Sequence, residues 1–491
     1  DVICGAEART HWYVATTGSD NSGSGTLASP LSSIQTAINA TTDGDTVSVA
    51  AGTYVENLNF NGKNIAVIGA DSSNTIIDGD SSGTVVVFSG TETSTALLKN
   101  FKIQNGYDDS NDGVGGIYCA DGANPTLENL IVSDNSTSGD WAGGIQISPG
   151  PIDTLRILNS VITYNNSVWG GGGIRVSGAQ TGVTLLKNVY IRDNSSNSGA
   201  GIKIIAGVSI LDSVTIMNNT AISGNIPGTV GGGGIDVSNA TLYLLNSTVN
   251  NNSSGNGDYP GINGGGIGAE NSTSTIENST ISNNTSTGNG GGIYSGQGSY
   301  VTLNKVLLAD NVLQNQGTGS GIYSGVTGDA SAASLTMINC TVVNNVGGTG
   351  AIFSNLNPAP IIVNSIIFGP LGYSAEYEIL YSNCEQCDNL DNYTNNPGNI
   401  DVDPMFVDTA NGDYTLQMDS PLIDAGHPDS TDADGTIADI GAYYYDQSGQ
   451  PKRVQGFVTT PTDSSEIFLT WDAVAENFSG SYKIYRSTDP D

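Results

Sequence analysis

The sequence predicts an all-β solenoid of the parallel β-helix type, and three observations lead to that fold class. One pattern recurs between residues 115 and 370: a glycine run, a short strand, a gap, and a second strand that ends in asparagine. The repeats start roughly 25 to 34 residues apart, a period typical of solenoids. Apolar residues alternate within each repeat, as in GGIRVS (172–177), which is the period of a strand. No repeat has room for an apolar stripe of helical length.

Stacked repeats bury an apolar face that one repeat cannot bury alone. The residue after each glycine run is predicted to point inward and to stack in a ladder of Ile117, Ile145, Ile174, Ile202, Ile235, Ile267, Ile293, Ile322 and Ile352. A polar column at a corner of the coils is predicted to form a buried ladder of Asn129, Asn159, Asn188, Ser213, Asn246, Asn278, Asn339 and Asn364. Lys305 interrupts this second column, so one distorted coil is expected there.

The chain divides into four segments. Residues 1–45 hold a strand, from Trp12 to Ala15, and a helix that Ser29 is predicted to cap with Pro30 next to it. The apolar face of this helix is Leu31, Ile34, Ala37 and Ile38, and it is predicted to cover the open end of the solenoid. Residues 46–370 form the β-helix body, 371–446 a C-terminal cap segment, and 447–491 a linker and a further module.

The charge balance excludes one class of partner. The chain has 48 acidic and 14 basic residues among 491, a formal net charge of −34. Phosphate recognition needs clustered lysine and arginine, so nucleic acid is not an expected partner. The acidic balance favours a soluble surface that attracts cations. No stretch approaches the about 20 apolar residues of a membrane-spanning helix, so no membrane span is expected.

Five cysteines leave an odd thiol. Cys384 and Cys387 form a CxxC pair in a polar stretch, and a local disulfide is the interpretation that suits an exported protein. A zinc site would need a second pair of ligands. Cys119 and Cys340 replace core residues inside strands and are predicted to be buried.

Three segments resemble known families. YVATTGSDNSGSGTLASPLSSIQTAIN, followed by DGDTVSVAAGTYVENL, resembles the N-terminal cap and first coil of secreted right-handed parallel β-helix proteins, the superfamily of pectate-lyase-like polysaccharide lyases. Residues 399–444 resemble the C-terminal segment of bacterial surface β-helix proteins with a choice-of-anchor domain. Residues 447–491 resemble the first half of a fibronectin type III domain, with Trp471, Tyr482 and Tyr485 at its marker positions. These resemblances imply a right-handed β-helix that is extracellular, secreted or anchored at the cell surface.

One outward-facing column is the candidate functional surface. Side chains alternate along a strand, so the residue after each ladder isoleucine points outward. This column, called the stripe, is Tyr118, Gln146, Arg175, Lys203, Asp236, Gly268, Tyr294, Tyr323 and Phe353. Aromatic rings pack on the apolar faces of sugars, and arginine and lysine pair with uronate carboxylates. A solvated sheet face whose charges neutralise one another is the alternative interpretation.

The function predicted first is a rigid, non-catalytic structural or adhesive protein that contacts an extracellular polysaccharide or cell-surface glycan along the stripe. A polysaccharide lyase is the second hypothesis, with Lys203 or Arg175 as the base that takes the proton next to a uronate carboxylate. A hydrolase would need paired carboxylates, for which Asp236 and Glu270 are the candidates. A third hypothesis is a subunit of an extracellular filament that self-associates through the C-terminal module.

A structural calcium ion is a separate hypothesis. Asp429, Asp432, Asp434 and Asp439 lie in PDSTDADGTIADIG, where a tight turn offers hard oxygen ligands. The segment lacks the glutamate that closes an EF-hand loop. An acidic, solvated turn is the alternative interpretation.

Overall fold

The structure is a computed structural model, and it describes most of residues 10–448 together with two later strands. The gaps in this range are residues 121, 151–152, 179–180, 223–230, 256–262, 316, 326–332, 357, 373–376 and 386–396. Beyond residue 448, the backbone of residues 458–461 and 467–470 is described.

The described chain is a parallel β-helix, as predicted, and three parallel sheets run along it. Each regular coil gives two strands to a 25-stranded sheet (sheet I), one to an 8-stranded sheet (sheet II) and one to a 12-stranded sheet (sheet III). In one coil these are Thr154–Leu158 and Val161–Thr163 in sheet I, Asn166–Ser167 in sheet II and Ile174–Val176 in sheet III. Each strand is therefore hydrogen-bonded to the equivalent strands of the coils before and after it.

Sheet I consists of two ladders that two long strands join. The first ladder is His11–Val14, Thr46–Val49, Ala66–Gly69, Leu97–Lys99, Thr126–Glu128, Thr154–Leu158, Val183–Lys187, Val208–Asp212, Thr241–Leu245, Thr273–Ser282, Tyr300–Ala309, Ser334–Ile338, Ile361–Val363 and Glu378–Leu380. The second ladder shares Thr273–Ser282 and Tyr300–Ala309 and adds Gly52–Val55, Thr75–Asp78, Lys102–Gln104, Ile131–Ser133, Val161–Thr163, Tyr190–Arg192, Thr215–Met217, Thr248–Asn250, Thr341–Val343, Ile366–Ile367 and Asn383–Cys384.

Sheets II and III are built from shorter strands. Sheet II is Tyr107–Asp108, Ser136–Thr137, Asn166–Ser167, Ser195–Ser196, Thr220–Ala221, Ser253–Ser254, Thr285–Ser286 and Val312–Leu313. Sheet III is Leu58–Asn59, Val86–Phe88, Ile117–Cys119, Ile145–Ile147, Ile174–Val176, Ile202–Ile204, Ile235–Ser238, Ile267–Glu270, Ile293–Ser295, Ile322–Ser324, Ile352–Ser354 and Leu371–Gly372. The predicted isoleucine ladder lies on the inner face of sheet III, and its members from Ile117 to Ile352 are at most 1% exposed.

A short helix covers the first coil. This helix, Ile34–Ala40, is capped by Ser33, whose hydroxyl accepts a hydrogen bond from the Thr36 backbone amide. The predicted cap, Ser29, lies instead in the preceding turn, where it bridges to Thr26. The predicted apolar face of the helix is confirmed, because Leu31, Ile34, Ala37 and Ile38 are all buried. The helix therefore starts later than predicted and covers the core with the same side chains.

The buried asparagine ladder lies at a different corner from the one predicted. Asn129 and its equivalents from Asn159 to Asn278 are exposed and adopt positive φ angles between the two ladders of sheet I. Asn339 and Asn364 of this column are buried under the C-terminal segment. The buried ladder comes after the second strand of sheet I: Asn135, Asn165, Asn194, Asn219, Asn252, Asn284, Asn311 and Asn345. Asparagine suits both positions, since its side chain tolerates left-handed backbone and satisfies stacked amides.

The distortion expected at Lys305 is absent. Lys305 has a φ of +55°, close to the +48° of Asn278 in the coil before it and the +49° of Asn339 in the coil after it. The strand Tyr300–Ala309 runs through it without interruption. A lysine therefore occupies the backbone conformation that the neighbouring coils give to asparagine.

The C-terminal segment continues the coils and then folds back over sheet I. Phe406–Asp408 pairs with Asp413–Leu416 in an antiparallel hairpin around the 3₁₀ turn Thr409–Asn411. Two apolar clusters attach this segment to the outer face of the last coils: Ile366 with Leu416, Leu422 and Ile440, and Leu307, Ala309 and Val343 with Tyr414. These contacts bury outward apolar residues of the last coils.

The remaining predictions for the chain ends have mixed outcomes. Val458–Pro461 and Ile467–Thr470 form an antiparallel pair, while Trp471, Tyr482 and Tyr485 lie outside the described residues, so the fibronectin-like module stays a prediction.

Cys119 and Cys340 are free and buried, as predicted. Cys384 is disulfide-bonded, but the predicted partner Cys387 lies outside the described range. In the described chain no helix is long and apolar enough to cross a membrane.

Candidate functional site

The stripe forms one continuous row on the outer face of sheet III. The Cα register pairs Tyr118 with Gln146, and each following member with the next, as far as Phe353. Adjacent strands of a sheet lie about 4.8 Å apart, so neighbouring side chains are in contact range. Sequence reasoning therefore placed these residues correctly, and their role as a binding surface stays a prediction.

The middle of the stripe is covered rather than solvated. Gln146 is 0% and Asp236 is 2% exposed, while Arg175 and Lys203 are half-buried. The glycine-run loops lie over these side chains. A Cβ added to Gly199, whose φ is +58°, would stand 2.8 Å from the Lys203 Cβ and 3.0 Å from the Asp236 Cβ. Glycine is thus required for the loop to approach this closely, and strand alternation alone does not reveal such a cover.

Arg175 is held by neutral oxygens. Its guanidinium donates to Gln146 Oε1 at 3.2 Å and to Ser177 Oγ at 3.4 Å. Gln146 Nε2 donates to the same Ser177 oxygen at 2.8 Å, which fixes the amide. Burial lowers the pKa of Arg175, and the charges of Asp140 and Asp112 raise it again. The guanidinium therefore keeps a defined orientation without an ion pair within 4.0 Å to a described carboxylate.

Lys203 and Asp236 are linked through a serine hydroxyl. Lys203 Nζ donates to Ser198 Oγ at 2.7 Å and to the Trp169 carbonyl at 3.1 Å. The Ser198 side chain also hydrogen-bonds to Asp236 and lowers its pKa. Burial lowers the pKa of Lys203, and the charge of Asp236 opposes this effect. Ser198 and Trp169 belong to the covering loops, and sequence reasoning did not single them out.

Asp236 and Glu270 form a carboxylate pair at the centre of the stripe. Gly268 is the register partner of Asp236, and Glu270 follows two residues later on the same outward face. Burial raises the pKa of Asp236 to about 6; Lys203 lowers it and Glu270 raises it. Burial also raises the pKa of Glu270. Two carboxyl groups with raised pKa values beside a lysine are typical of a functional site.

The aromatic part of the stripe is a stack of three rings. The ring centroids of Tyr294 and Tyr323 lie 5.1 Å apart, those of Tyr323 and Phe353 lie 5.2 Å apart, and each pair is parallel within 3°. Stacked rings cover one another's faces, so the stack presents ring edges to solvent. Burial raises the pKa of Tyr294 to about 12, with Tyr323 and Glu270 adding to the effect. At the other end, Tyr118 packs against Trp141 with centroids 5.1 Å apart.

The lysines and arginines of the described chain fall into three groups. Five of them form ion pairs within 4.0 Å: Lys99, Lys102, Arg156, Lys187 and Arg192. Lys63 donates to three carbonyls at the end of the helix. Arg175, Lys203 and Lys305 have no such ion pair with any described residue. Two of these three cations are neighbours in the stripe.

The predicted calcium ligands are occupied by backbone amides. Asp432 Oδ2 accepts the Asp439 amide at 2.7 Å, and Asp439 accepts those of Asp424 and Tyr445 at 2.7 and 2.6 Å. Asp434 accepts the Thr436 and Gln447 amides. Asp429 is exposed. Within the described ranges, no three His, Cys, Asp or Glu side chains group around a possible metal position, and the calcium ion stays a prediction.

Comparison with known proteins bears on the fold. A family model described as "Right handed beta helix region" matches residues 172–367. The fold is similar to that of pectate lyase Pel9A, with a TM-score of 0.41 and 15% identity over 90% of this chain and 98% of that chain. It is also similar to pectin methylesterase from carrot, with a TM-score of 0.32 and 14% identity over 63% of this chain and 85% of that one. No curated protein matches the sequence. The fold is a right-handed parallel β-helix. The two solved structures are 15% and 14% identical to this chain, and they carry no information about its activity.

Proposed function

We propose that this protein is an extracellular, non-catalytic β-helix that binds a carboxylate-bearing polysaccharide along the stripe. One observation carries the proposal: Arg175 and Lys203 lie in adjacent coils, half-buried, and neither forms an ion pair with a described residue. The chain contains 48 acidic residues, yet Asp236, the register partner of Lys203, is linked to it through the Ser198 hydroxyl and not by a direct ion pair. A desolvated cation is stabilised by an anionic partner, and a uronate carboxylate supplies one.

The geometry around the cations suits a long polymer. The stripe runs along the solenoid axis, and coils repeat every about 4.8 Å. Trp141 and Tyr118 lie beyond Arg175 in one direction, and the Tyr294 stack lies beyond Asp236 in the other. Ring edges and the partly exposed Trp169 offer apolar contact to sugar C–H groups. Glu270, which is half-buried, offers hydrogen-bond acceptors for sugar hydroxyls.

The test compares two polymers that differ in charge alone. Polygalacturonate and its methyl ester share one backbone, and only the first carries carboxylates. In gels containing each polymer, the protein is expected to be retarded by polygalacturonate and to migrate freely in the ester. The Arg175→Gln variant should reduce the retardation at least about tenfold, which corresponds to about 1.4 kcal/mol. Equal retardation by both polymers, or by wild type and variant, would contradict the proposal.

A polysaccharide lyase is the second candidate, and one observation favours it. Burial lowers the pKa of Lys203, which makes a neutral amine base more accessible. In that reaction Lys203 takes the proton next to the uronate carboxylate, and the electron pair of that C–H bond forms a C=C bond. The glycosidic C–O bond breaks, and the leaving oxygen takes a proton from water. Arg175 stabilises the charge on the carboxylate. The unsaturated product absorbs ultraviolet light, so a rising absorbance that Lys203→Met abolishes would establish the lyase and replace the non-catalytic proposal.

Three further properties belong to the same proposal. The resemblance of the N-terminal cap and of residues 399–444 to secreted and surface β-helix proteins supports an extracellular location. Self-association through residues 447–491 and a structural calcium ion in the segment Asp429–Asp439 remain predictions. A change in thermal midpoint between calcium and chelator tests the ion.

A further inference from the structure

Lys305 occupies a backbone conformation that disfavours it. Its φ of +55° lies in the left-handed region, where the equivalent residues of the coils from Asn129 to Asn364 are asparagine or serine and that of the last coil is Tyr381. For a residue other than glycine, asparagine or aspartate this conformation costs roughly 1–2 kcal/mol. Strain of this kind persists where the surrounding structure holds it, and it concentrates at functional sites.

The Lys305 side chain lies at a cleft between sheet I and the C-terminal segment. The cleft has a volume of about 350 Å³, within the range of small-ligand sites. It is on a different sheet from the stripe. One wall is Asn278, Ser279, Thr280 and Lys305, and the other is Thr415, Ala442, Tyr443 and Tyr444. The walls therefore combine amide and hydroxyl groups with two aromatic rings around one cation.

The positive charge of Lys305 is not neutralised at short range. Its Nζ lies 5.9 Å from the centroid of the Tyr444 ring, and no ion pair within 4.0 Å joins it to a described carboxylate. Burial raises the pKa of Asp432, and the charge of Lys305 opposes this effect. Asp432 is 7% exposed and its Oδ2 accepts the Asp439 amide at 2.7 Å, so that oxygen already has a partner.

We infer that this cleft is a second ligand site, which binds one carboxylate-bearing sugar residue. Lys305 pairs with the carboxylate, Asn278, Thr280 and Thr415 face the sugar hydroxyls, and Tyr444, which is 38% exposed, packs on the C–H face. The site goes beyond the proposed function because it uses none of the residues of the stripe. It gives the molecule two separate positions for acidic sugars, on sheets I and III.

The experiment is a calorimetric titration of the whole protein with digalacturonate, its neutral methyl ester, and inorganic phosphate. Lys305→Asn is the test variant, because asparagine is the usual residue of this column and should raise the thermal midpoint. Lys187→Asn is the matched control, since Lys187 lies on the same sheet, paired with Asp212 at 2.9 Å. Lys203→Met removes the stripe cation and separates the two sites.

In wild type we expect two classes of digalacturonate sites and no binding of the ester. Lys305→Asn should weaken one class at least about tenfold, Lys203→Met the other, and Lys187→Asn neither. The inference is overturned if Lys305→Asn leaves both classes unchanged, or if phosphate binds at the Lys305 cleft as tightly as digalacturonate. If wild type binds digalacturonate at the Lys305-dependent class alone, the proposed function is contradicted and this site stands.

Discussion

Asp236 shows at the scale of one residue how burial sets the chemistry of the stripe. Its carboxyl group is 2% exposed, and its contacts are the Ser198 and Ser238 hydroxyls and the field of Lys203. These contacts do not compensate the loss of water, so its pKa rises to about 6. Near pH 6 the group is therefore divided between its two protonation states.

The pH dependence of stability tests this description of Asp236. Its folded pKa of about 6 exceeds an unfolded value of about 3.9, so the folded state binds the proton more tightly. This contribution to the free energy of unfolding is fully present below about pH 4 and is lost as pH rises through about 6, a change of about 3 kcal/mol. Asp236→Asn should remove that part of the decline, measured as urea midpoints across this window.

Asp212→Asn is the control for the opposite sign. The pKa of Asp212 is lowered by its hydrogen bonds to Asn246 and Lys187, so its contribution is lost as pH falls instead. If Asp236→Asn shows the same decline between about pH 4 and pH 7 as wild type, the carboxyl group is not desolvated as the structure indicates.

At the scale of the element, the side-chain hydrogen bonds of the buried asparagine ladder hold neighbouring coils in register. Asn219 Nδ2 donates to Asn252 Oδ1 at 2.9 Å and to the Ile191 carbonyl at 3.0 Å. Its own Oδ1 accepts two hydrogen bonds from Asn194, one from the backbone N–H at 3.1 Å and one from Nδ2 at 3.0 Å. Each member thus satisfies buried groups in the coils on both sides.

Replacing one rung of the ladder should be costly. Asn219→Ala leaves two Asn194 donors and the Ile191 carbonyl without this partner, and each buried unsatisfied group costs about 1–3 kcal/mol. We expect a fall of about 3 kcal/mol or more in the free energy of unfolding. Asn218→Gly is the matched control, because Asn218 is exposed with a φ of +56° and glycine accepts that conformation. Equal effects of the two variants would show that the ladder is not the stabilising element.

The two asparagine columns also show what the sequence reveals and what it does not. The isoleucine ladder and the stripe were predictable because a glycine run fixes the position of each strand start, and alternation then fixes the face. Asn129 and Asn135 belong to columns of similar composition. Asn129 adopts a left-handed backbone conformation, and Asn135 stacks its side-chain amide on that of the next coil. Composition does not separate these two physical roles.

The cover over the stripe was not predictable for a related reason. Alternation shows that Asp236 points away from the core, but not that Ser198 and the Trp169 carbonyl lie above its neighbour Lys203. Two tryptophans in otherwise glycine-rich loops, Trp141 and Trp169, were the signal in the sequence that the loops carry structure. The cleft at Lys305 depends on the C-terminal segment, which lies far away in sequence.

At the scale of the whole molecule, the two ends and the charge distribution define what remains available for binding. The helix Ile34–Ala40 covers the first coil, and the segment around Leu422 and Ile440 covers the outer face of the last coils. Against a net charge of −34, five described lysines and arginines form ion pairs and Lys63 donates to carbonyls at the end of the helix. The remaining described lysines and arginines lie in the stripe and at the Lys305 cleft. The molecule is therefore acidic overall and carries a few positions suited to anionic groups.

The measurement that tests the central claim most directly is the affinity of a polygalacturonate oligomer for Lys203→Met, determined by calorimetry beside Lys187→Met. Both variants remove one lysine charge, but Lys187 is paired with Asp212 on sheet I and Lys203 lies in the stripe without an ion pair to a described residue. The account predicts at least a tenfold (about 1.4 kcal/mol) loss for Lys203→Met and no change for Lys187→Met. Equal affinities of the two variants and wild type would contradict it.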